Sequence, residues 1–367
     1  MVRSLTKINA FLENELIINL LIKKYNVTFI DSNVSDIKPL YYRRVNEYFK
    51  NGFFIFEDHL GDKNYAINNL LIIANINTYL LEEYRIYLIR RKDFKHILQR
   101  EFAKKNSKWV VNQLEDISNH LSAKNINYVR RVTEFLIVFY LLLIYYPNLF
   151  ILLNNSVYIT QNILKLILLK YGATKVQDAD IITVDDNMPI YSILIPLYDE
   201  ASKASFIINS INKLNYPKYR LDVKLIVEED DILTLKAIRI LELPSYIEII
   251  TVPYSLPRTK PKALNYAMSY VTGDFVSVYD AEDRPDPDQL LKALHAFRTM
   301  PKHYVCIQAK LNFYNAKENI LTRFFSIEYT LWFEYLLRGL SILDLPLTLG
   351  GTSNHFKVDS KRQFPCI

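Results

Sequence analysis

From Val132 to Leu169 the sequence carries only two charged side chains, Glu134 and Lys165. A segment this apolar must be covered by protein or by lipid, because leaving it in water forfeits its whole burial free energy. A membrane-spanning helix needs about 20 predominantly apolar residues. The first arm, Val132 to Tyr146, is short by that measure, and the second, Leu149 to Leu169, includes Asn154, Asn155, Gln161 and Asn162. Pro147-Asn148 interrupts the run, which predicts a hydrophobic hairpin turning there. Arg130 and Arg131 precede it and Lys170 and Lys175 follow it. Positive charge thus flanks the same side twice, as a cytoplasmic face requires. A pair of buried core helices is the alternative. Either way the chain divides into residues 1–130, a hydrophobic (transmembrane) hairpin at 131–170, and residues 185–367.

A length of 367 residues allows two or three domains. Half of the residues are hydrophobic and 23% are charged, which supports packed cores and excludes global disorder. Seven glycines make about 2% of the chain, against a usual level of roughly 7%. Neither G-x-G-x-x-G nor G-x-x-x-x-G-K-[ST] occurs, so the dinucleotide fingerprint and the Walker A loop are absent. Cys306 and Cys366 cannot build a disulfide framework or a four-thiolate zinc site, and fit a reducing compartment. The net charge of +6 comes from 45 basic and 39 acidic residues, too diffuse to indicate nucleic acid. Met1 to Leu12 lacks the apolar core of a signal peptide.

The first region reads as a small α/β domain. Leu12, Leu16 and Leu20 share one face of a helix over Leu5 to Lys24, and Val27 to Ile30, Phe53 to Phe56 and Arg85 to Arg90 read as strands. Asp93 is placed to cap a helix running to Lys105. His59, His96 and His120 are dispersed and are expected in ordinary surface or packing roles.

From Met188 onward strand and helix signals alternate. Apolar runs at Ile190 to Leu197, Val223 to Val227, Ile247 to Thr251 and Phe275 to Tyr279 are separated by helical patterns at Glu200 to Leu214 and Lys260 to Val271. This predicts an α/β domain with a mainly parallel sheet. Three of these strands run into acids: Asp199-Glu200, Glu228 to Asp231, and Asp280-Ala-Glu-Asp283. Ligands of open α/β sheets bind outside the carboxyl ends of the strands. Carboxylates from three loops would repel one another there unless a cation joined them. Mg2+ or Mn2+, whose other ligands are often diphosphate oxygens, meets that need. A lysine at a helix start, as in Lys260-Pro-Lys262, can neutralise a phosphate.

Four segments resemble the family 2 glycosyltransferases, in particular the membrane-bound, cellulose-synthase-like branch. They are Ser192 to Glu200, Val227 to Asp231, Thr259 to Tyr266 and Val278 to Gln289, and the similarity covers about residues 185–358. The layout of Arg90 to Ala123 and the apolar hairpin resembles bacterial members with an N-terminal domain like that of type II secretion ATPases. The resemblance implies a GT-A fold and inverting transfer of a hexosyl group, from a nucleotide-sugar that is most often a UDP-sugar, to a glycan hydroxyl. It implies that Pro196, Tyr198 and Glu200 line the nucleoside pocket, that Glu228 or Asp230 accepts from uracil, and that Lys262 approaches the diphosphate. Asp280 and Glu282 would hold Mg2+ or Mn2+. Gln308 and the loop Gly350 to Phe356, with Thr352, Ser353, Asn354 and His355, would lie under the acceptor. Trp332 and Phe333 could stack on sugar or belong to the core.

The family's general base and its Gln-x-x-Arg-Trp motif do not occur before Ile367, so a C-terminally truncated, impaired enzyme is expected. Implied partners are the sugar donor, a glycan acceptor, the cytoplasmic membrane with both flanking domains on its cytoplasmic side, and a protein partner of the N-terminal domain. Two other classes fit the same residues: a membrane-tethered regulatory protein with a vestigial transferase half, and a soluble nucleotidyltransferase-like enzyme.

Overall fold

A computed structural model describes residues 28–30, 37–40, 48, 52–58, 60–68, 85–118, 126–174 and 187–358. The expected helix at Leu5 to Lys24, His59, His120, Ser122-Ala123, Lys175 and the residues after 358 lie outside the described residues. In chain order the first elements are β1 (Thr28–Ile30), β2 (Phe53–Glu57), β3 (Lys63–Ile67), β4 (Arg85–Ile89) and the helix α1 (Arg91–Ser118). The apolar segment forms α2 (Ile126–Tyr145) and α3 (Pro147–Gly172). Then follow β5 (Tyr191–Leu197), α4 (Ala204–Asn212), β6 (Leu221–Glu228), α5 (Ile232–Ile240), β7 (Ile247–Val252), α6 (Lys260–Met268), β8 (Phe275–Val278), α7 (Gln289–Thr299) and β9 (Cys306–Gln308). The described chain ends with α8 (Ile320–Thr330), a π-helical stretch Leu331–Leu336, α9 (Leu337–Ile342) and β10 (Asn354–Lys357).

The larger sheet has the order β7-β6-β5-β8-β10-β9. β7, β6, β5 and β8 are mutually parallel, so the chain ends of β5, β6 and β8 open onto one edge of the sheet. β5 is central and buried along its length, which explains its unbroken apolar run. Pro196 is tolerated there because β8 pairs only with Tyr191 to Leu194, leaving the missing N–H of Pro196 beyond that ladder. β10 runs antiparallel between β8 and β9. The expected loop at Gly350 to Phe356 therefore ends as an interior strand.

The smaller sheet, β1-β4-β3-β2, is covered by α1. α1 starts two residues before Asp93, which lies in its first turn rather than capping it, and runs 13 residues beyond the expected end at Lys105. Phe54, Phe94, Ile97 and Leu98 belong to the same buried apolar cluster as Ile226 of β6, Ile250 and Val252 of β7, and Ala263 and Tyr266 of α6. The first region and the large sheet thus share one core. A buried charge cluster sits beside it: Lys224 Nζ lies 2.7 Å from Asp222 and 2.6 Å from Glu248, and Lys95 of α1 also pairs with Glu248. Burial opposes charge there, yet Lys224 and then Lys95 hold the Glu248 carboxyl below its ordinary range.

α2 and α3 meet at Tyr146 with a bend of 116°. Pro147 occupies the first turn of α3, where its missing N–H costs nothing. No single helix among the described residues is long and apolar enough to cross a membrane, whereas α2 and α3 together have that length and composition. Its apolar side chains are exposed nearly throughout. The C-terminal end of α3 packs on the helices after β9 through two glycines. A Cβ on Gly172 would collide with the Tyr335 carbonyl, and one on Gly339 with the Leu168 carbonyl.

Candidate active site at the strand ends

The four acids that close β6 and follow it, Glu228 to Asp231, go to four different tasks. Glu228, 5% exposed, is held by Lys262 Nζ at 2.9 and 3.0 Å. Glu229 accepts the Tyr254 N–H at 3.1 Å. Asp231 caps α5 by accepting from Thr234 N at 3.1 Å, and also accepts the Asp199 N–H at 2.7 Å. That second bond fixes Asp199 in a left-handed conformation, φ 55°, at the exit of β5. Asp230 alone of the four faces a cluster at the surface, pairing with Arg258 at 2.6 Å. Arg258 also donates to the Tyr198 hydroxyl at 3.2 Å and stacks on the Tyr254 ring at 4.9 Å.

Two expectations are corrected here. Glu228 does not present its carboxylate to a nucleobase, because a strand residue pointing into the sheet's packed face must neutralise its charge, and Lys262 does so. Lys262 in turn is buried and also donates to the Ser255 carbonyl at 2.9 Å, so it does not reach out to a diphosphate. Lys260, at the first position of α6, reaches the open edge, where its ammonium pairs with Asp280 and donates to the Gly351 carbonyl at 2.8 Å.

The loop after β8 is shaped by Asp283. Its carboxylate accepts the Asp280 N–H at 2.7 Å and the Thr352 hydroxyl, and burial pushes its pKa up. Asp280 is left half-exposed and Glu282 exposed. Across the edge, Glu200 places its buried Oε2 atom without a hydrogen-bond partner. Burial, then the charges of Glu282 and Asp280, raise the Glu200 carboxyl above its ordinary value. The Glu200 carboxyl at the end of β5 is therefore within the field of the acids after β8. Among the described residues no group of three or more His, Cys, Asp or Glu is placed to hold a metal ion unaided. One or two carboxylates completed by substrate phosphates suffice for Mg2+ or Mn2+. Asp280 and Glu282, with an ammonium already drawn to Asp280, fit such a shared site.

The expected acceptor residues are mostly used in building the turn into β10. Gln308 Oε1 accepts the Gly350 N–H at 2.7 Å and its Nε2 donates to the Thr352 carbonyl at 3.2 Å. Asn354 Nδ2 donates to the Gly350 carbonyl at 2.5 Å, and Ser353 is buried at φ 55°. His355 is a correction: it is fully buried, not exposed to phosphate or acceptor. Its Nδ1 lies 2.6 Å from the Tyr191 hydroxyl and its ring packs edge-on to Tyr191 and Tyr279. Burial lowers its pKa to about 3. The cause is that β10 is an interior strand, so alternate side chains enter the core. Trp332 is exposed, whereas Phe333 is buried against Tyr329.

Residues 192–359 match the family described as Glycosyl transferase family 2. Among curated proteins, the chain is 27% identical over 154 residues to "Probable glycosyltransferase YdaM" of Bacillus subtilis (strain 168), covering 41% of this chain and 36% of that protein. It is 29% identical over 145 residues to "Probable glucomannan 4-beta-mannosyltransferase 1" of Arabidopsis thaliana, covering 38% of this chain and 26% of that protein. The chain thus spans about a quarter to a third of the length of these relatives. Among solved structures, it is similar to mannosyltransferase PcManGT from Pyrobaculum calidifontis in complex with GDP-Man and Mn2+, at 22% identity and a TM-score of 0.37, covering 44% of this chain and 46% of that one. It is also similar to S. aureus TarS 1-349 in complex with UDP-GlcNAc, at 18% identity and a TM-score of 0.30, covering 35% and 36%.

Proposed function

We propose that the domain at residues 192–359 is a GT-A glycosyltransferase that takes a hexosyl group from a UDP-sugar and passes it, with inversion, to a glycan hydroxyl. The observation that carries this reading is the edge formed by Asp280, Glu282, Glu200 and Lys260 at the ends of parallel strands. A diphosphate brings negative charge that Lys260 can take over from Asp280. A divalent cation between Asp280, Glu282 and the diphosphate would make that diphosphate a better leaving group. The acceptor hydroxyl oxygen would form its bond to the anomeric carbon as the bond to the diphosphate breaks, its proton passing to solvent water. The outer cluster fits a pyrimidine-dione edge: Asp230 can accept its N–H while Arg258 donates to a flanking carbonyl and Tyr198 offers a ring face.

We also infer that α2 and α3 lie in a membrane, with the site on its cytoplasmic side. Supporting this, several polar side chains of these helices are satisfied within them. Arg130 pairs with Glu134 at 2.8 Å, and Thr133, Ser156, Thr160 and Asn162 each donate to the carbonyl four residues earlier. A lipid environment demands that kind of internal satisfaction.

Titration of the chain with UDP and Mn2+ tests the donor site. Binding that requires the metal and weakens at least about tenfold in Asp280→Asn supports it, a charge-assisted contact being worth roughly 1.5–3 kcal/mol. Equal binding of nucleoside triphosphates, or indifference to Asp280→Asn, overturns it.

A further inference from the structure

Buried polar side chains on the apolar face of a helix cost free energy unless they are hydrogen-bonded. α1 carries two in succession, Asn106 and Ser107, 2% and 3% exposed. Their partners lie on either side of α6 in the chain. Ser107 Oγ is 2.7 Å from Ser255 Oγ, in the loop leading into α6, and Asn106 Oδ1 accepts from Ser269 Oγ at 3.2 Å, where α6 ends. α1 therefore grips α6 at both ends.

α6 and its leading loop carry the cations of the candidate site. Ser255 uses its hydroxyl toward Ser107 and its carbonyl toward Lys262, which holds Glu228 at the end of β6. Three residues after Ser255, Arg258 faces Asp230 and Tyr198, and at the start of α6 Lys260 faces Asp280. A hydrogen bond at the rear of this loop thus sets where its front side chains stand.

We propose that Ser107 is a positioning residue for donor binding: from the N-terminal region, through Ser255, it holds the loop 253–259 and the first turn of α6 so that Arg258 and Lys260 meet the donor's base and diphosphate. The role rests on the donor site described above. It makes the N-terminal region part of the binding apparatus of the transferase half.

The test uses the full chain, with Ser107→Ala, Ser255→Ala and the double variant. Two quantities are read: hydrogen-exchange protection of the loop 253–259 without ligand, and affinity for UDP in the presence of Mn2+. Loss of one hydrogen bond predicts about 2- to 10-fold weaker UDP binding in each single variant, with exchange accelerated in the loop and at the start of α6. The double variant should be no weaker than either single one, because both remove the same contact. Lys95→Met, which loosens α1 near β7 and away from the loop, should lower the melting temperature while leaving UDP affinity within twofold of wild type. Unchanged loop protection and affinity in Ser107→Ala, additive effects of the two serines, or an equal loss of affinity in Lys95→Met would overturn the proposal. If the wild-type chain binds no UDP with Mn2+, the donor reading falls, and loop protection still decides whether Ser107 controls the loop.

Discussion

At the scale of single residues the site is governed by which carboxylates already have a cation. Lys260 neutralises Asp280, so removing its ammonium should have opposite effects on two ligands. In Lys260→Met, Mn2+ alone should bind more tightly because it no longer competes with an ammonium. UDP with Mn2+ should bind roughly tenfold more weakly because a phosphate partner is lost; calorimetry of both ligands measures the split. His355 yields a prediction of pH dependence. Its pKa is about 3 in the folded chain against roughly 6.5 when unfolded, so only the unfolded chain takes up this proton between those values. Stability therefore falls as pH drops from about 6.5 toward 3, by up to about 1.4 kcal/mol per pH unit. Urea midpoints recorded from pH 7 to pH 4 should fall less steeply for His355→Gln than for wild type. The carboxylates of the strand ends were legible in the sequence because they follow apolar runs directly. What could not be read was direction. In Glu228 to Asp231 each step rotates the side chain, and only the folded turn assigns one acid to Lys262, one to a backbone N–H, one to Arg258 and one to a helix cap.

Among the elements, the parallel strands β5 to β8 were legible because their residues are predominantly apolar, as strands of a covered parallel sheet are. β10 was hidden: Asn354 and His355 are polar, two glycines precede them, and nothing local reveals that the strand inserts between β8 and β9. β3, with Lys63 and Asn64 at its start, was missed for the same reason. The crossing of α3 with the π-helical stretch and α9 was equally invisible, because glycine in a helix usually signals weakness rather than contact. Here Gly172 and Gly339 let two backbones touch. Gly339→Val should force them apart, since the obstructing atoms belong to the Leu168 backbone, which has little freedom to yield. The expected cost is about 1–3 kcal/mol, as for other overpacked contacts, read as a lowered melting temperature in detergent. Gly61→Ala, in an exposed turn, provides a comparison in which strain from a positive φ acts without crowding.

For the whole molecule, composition suggested three regions, and nothing in it indicated that the first and third share a core. Phe94 and Ile97 of the first region and Ile250 and Tyr266 of the third read separately as two cores, and the fold makes them one. The bent pair α2 and α3 stays outside it, exposing Phe135 to Leu142 and Leu149 to Leu153 almost continuously. The full chain should therefore float with phosphatidylglycerol-containing liposomes in a sucrose gradient, and a chain with charged replacements at Leu136, Leu141, Leu152 and Ile159 should remain at the bottom. Flotation of both would show that another surface binds the vesicle. The paired glycines bear on reach. Because the apolar arm is clamped backbone to backbone onto the helices that follow β9, it cannot swivel like a tether. It acts as a stiff outrigger, so the height at which the carboxylate edge rides above any surface holding the arm is set by the fold.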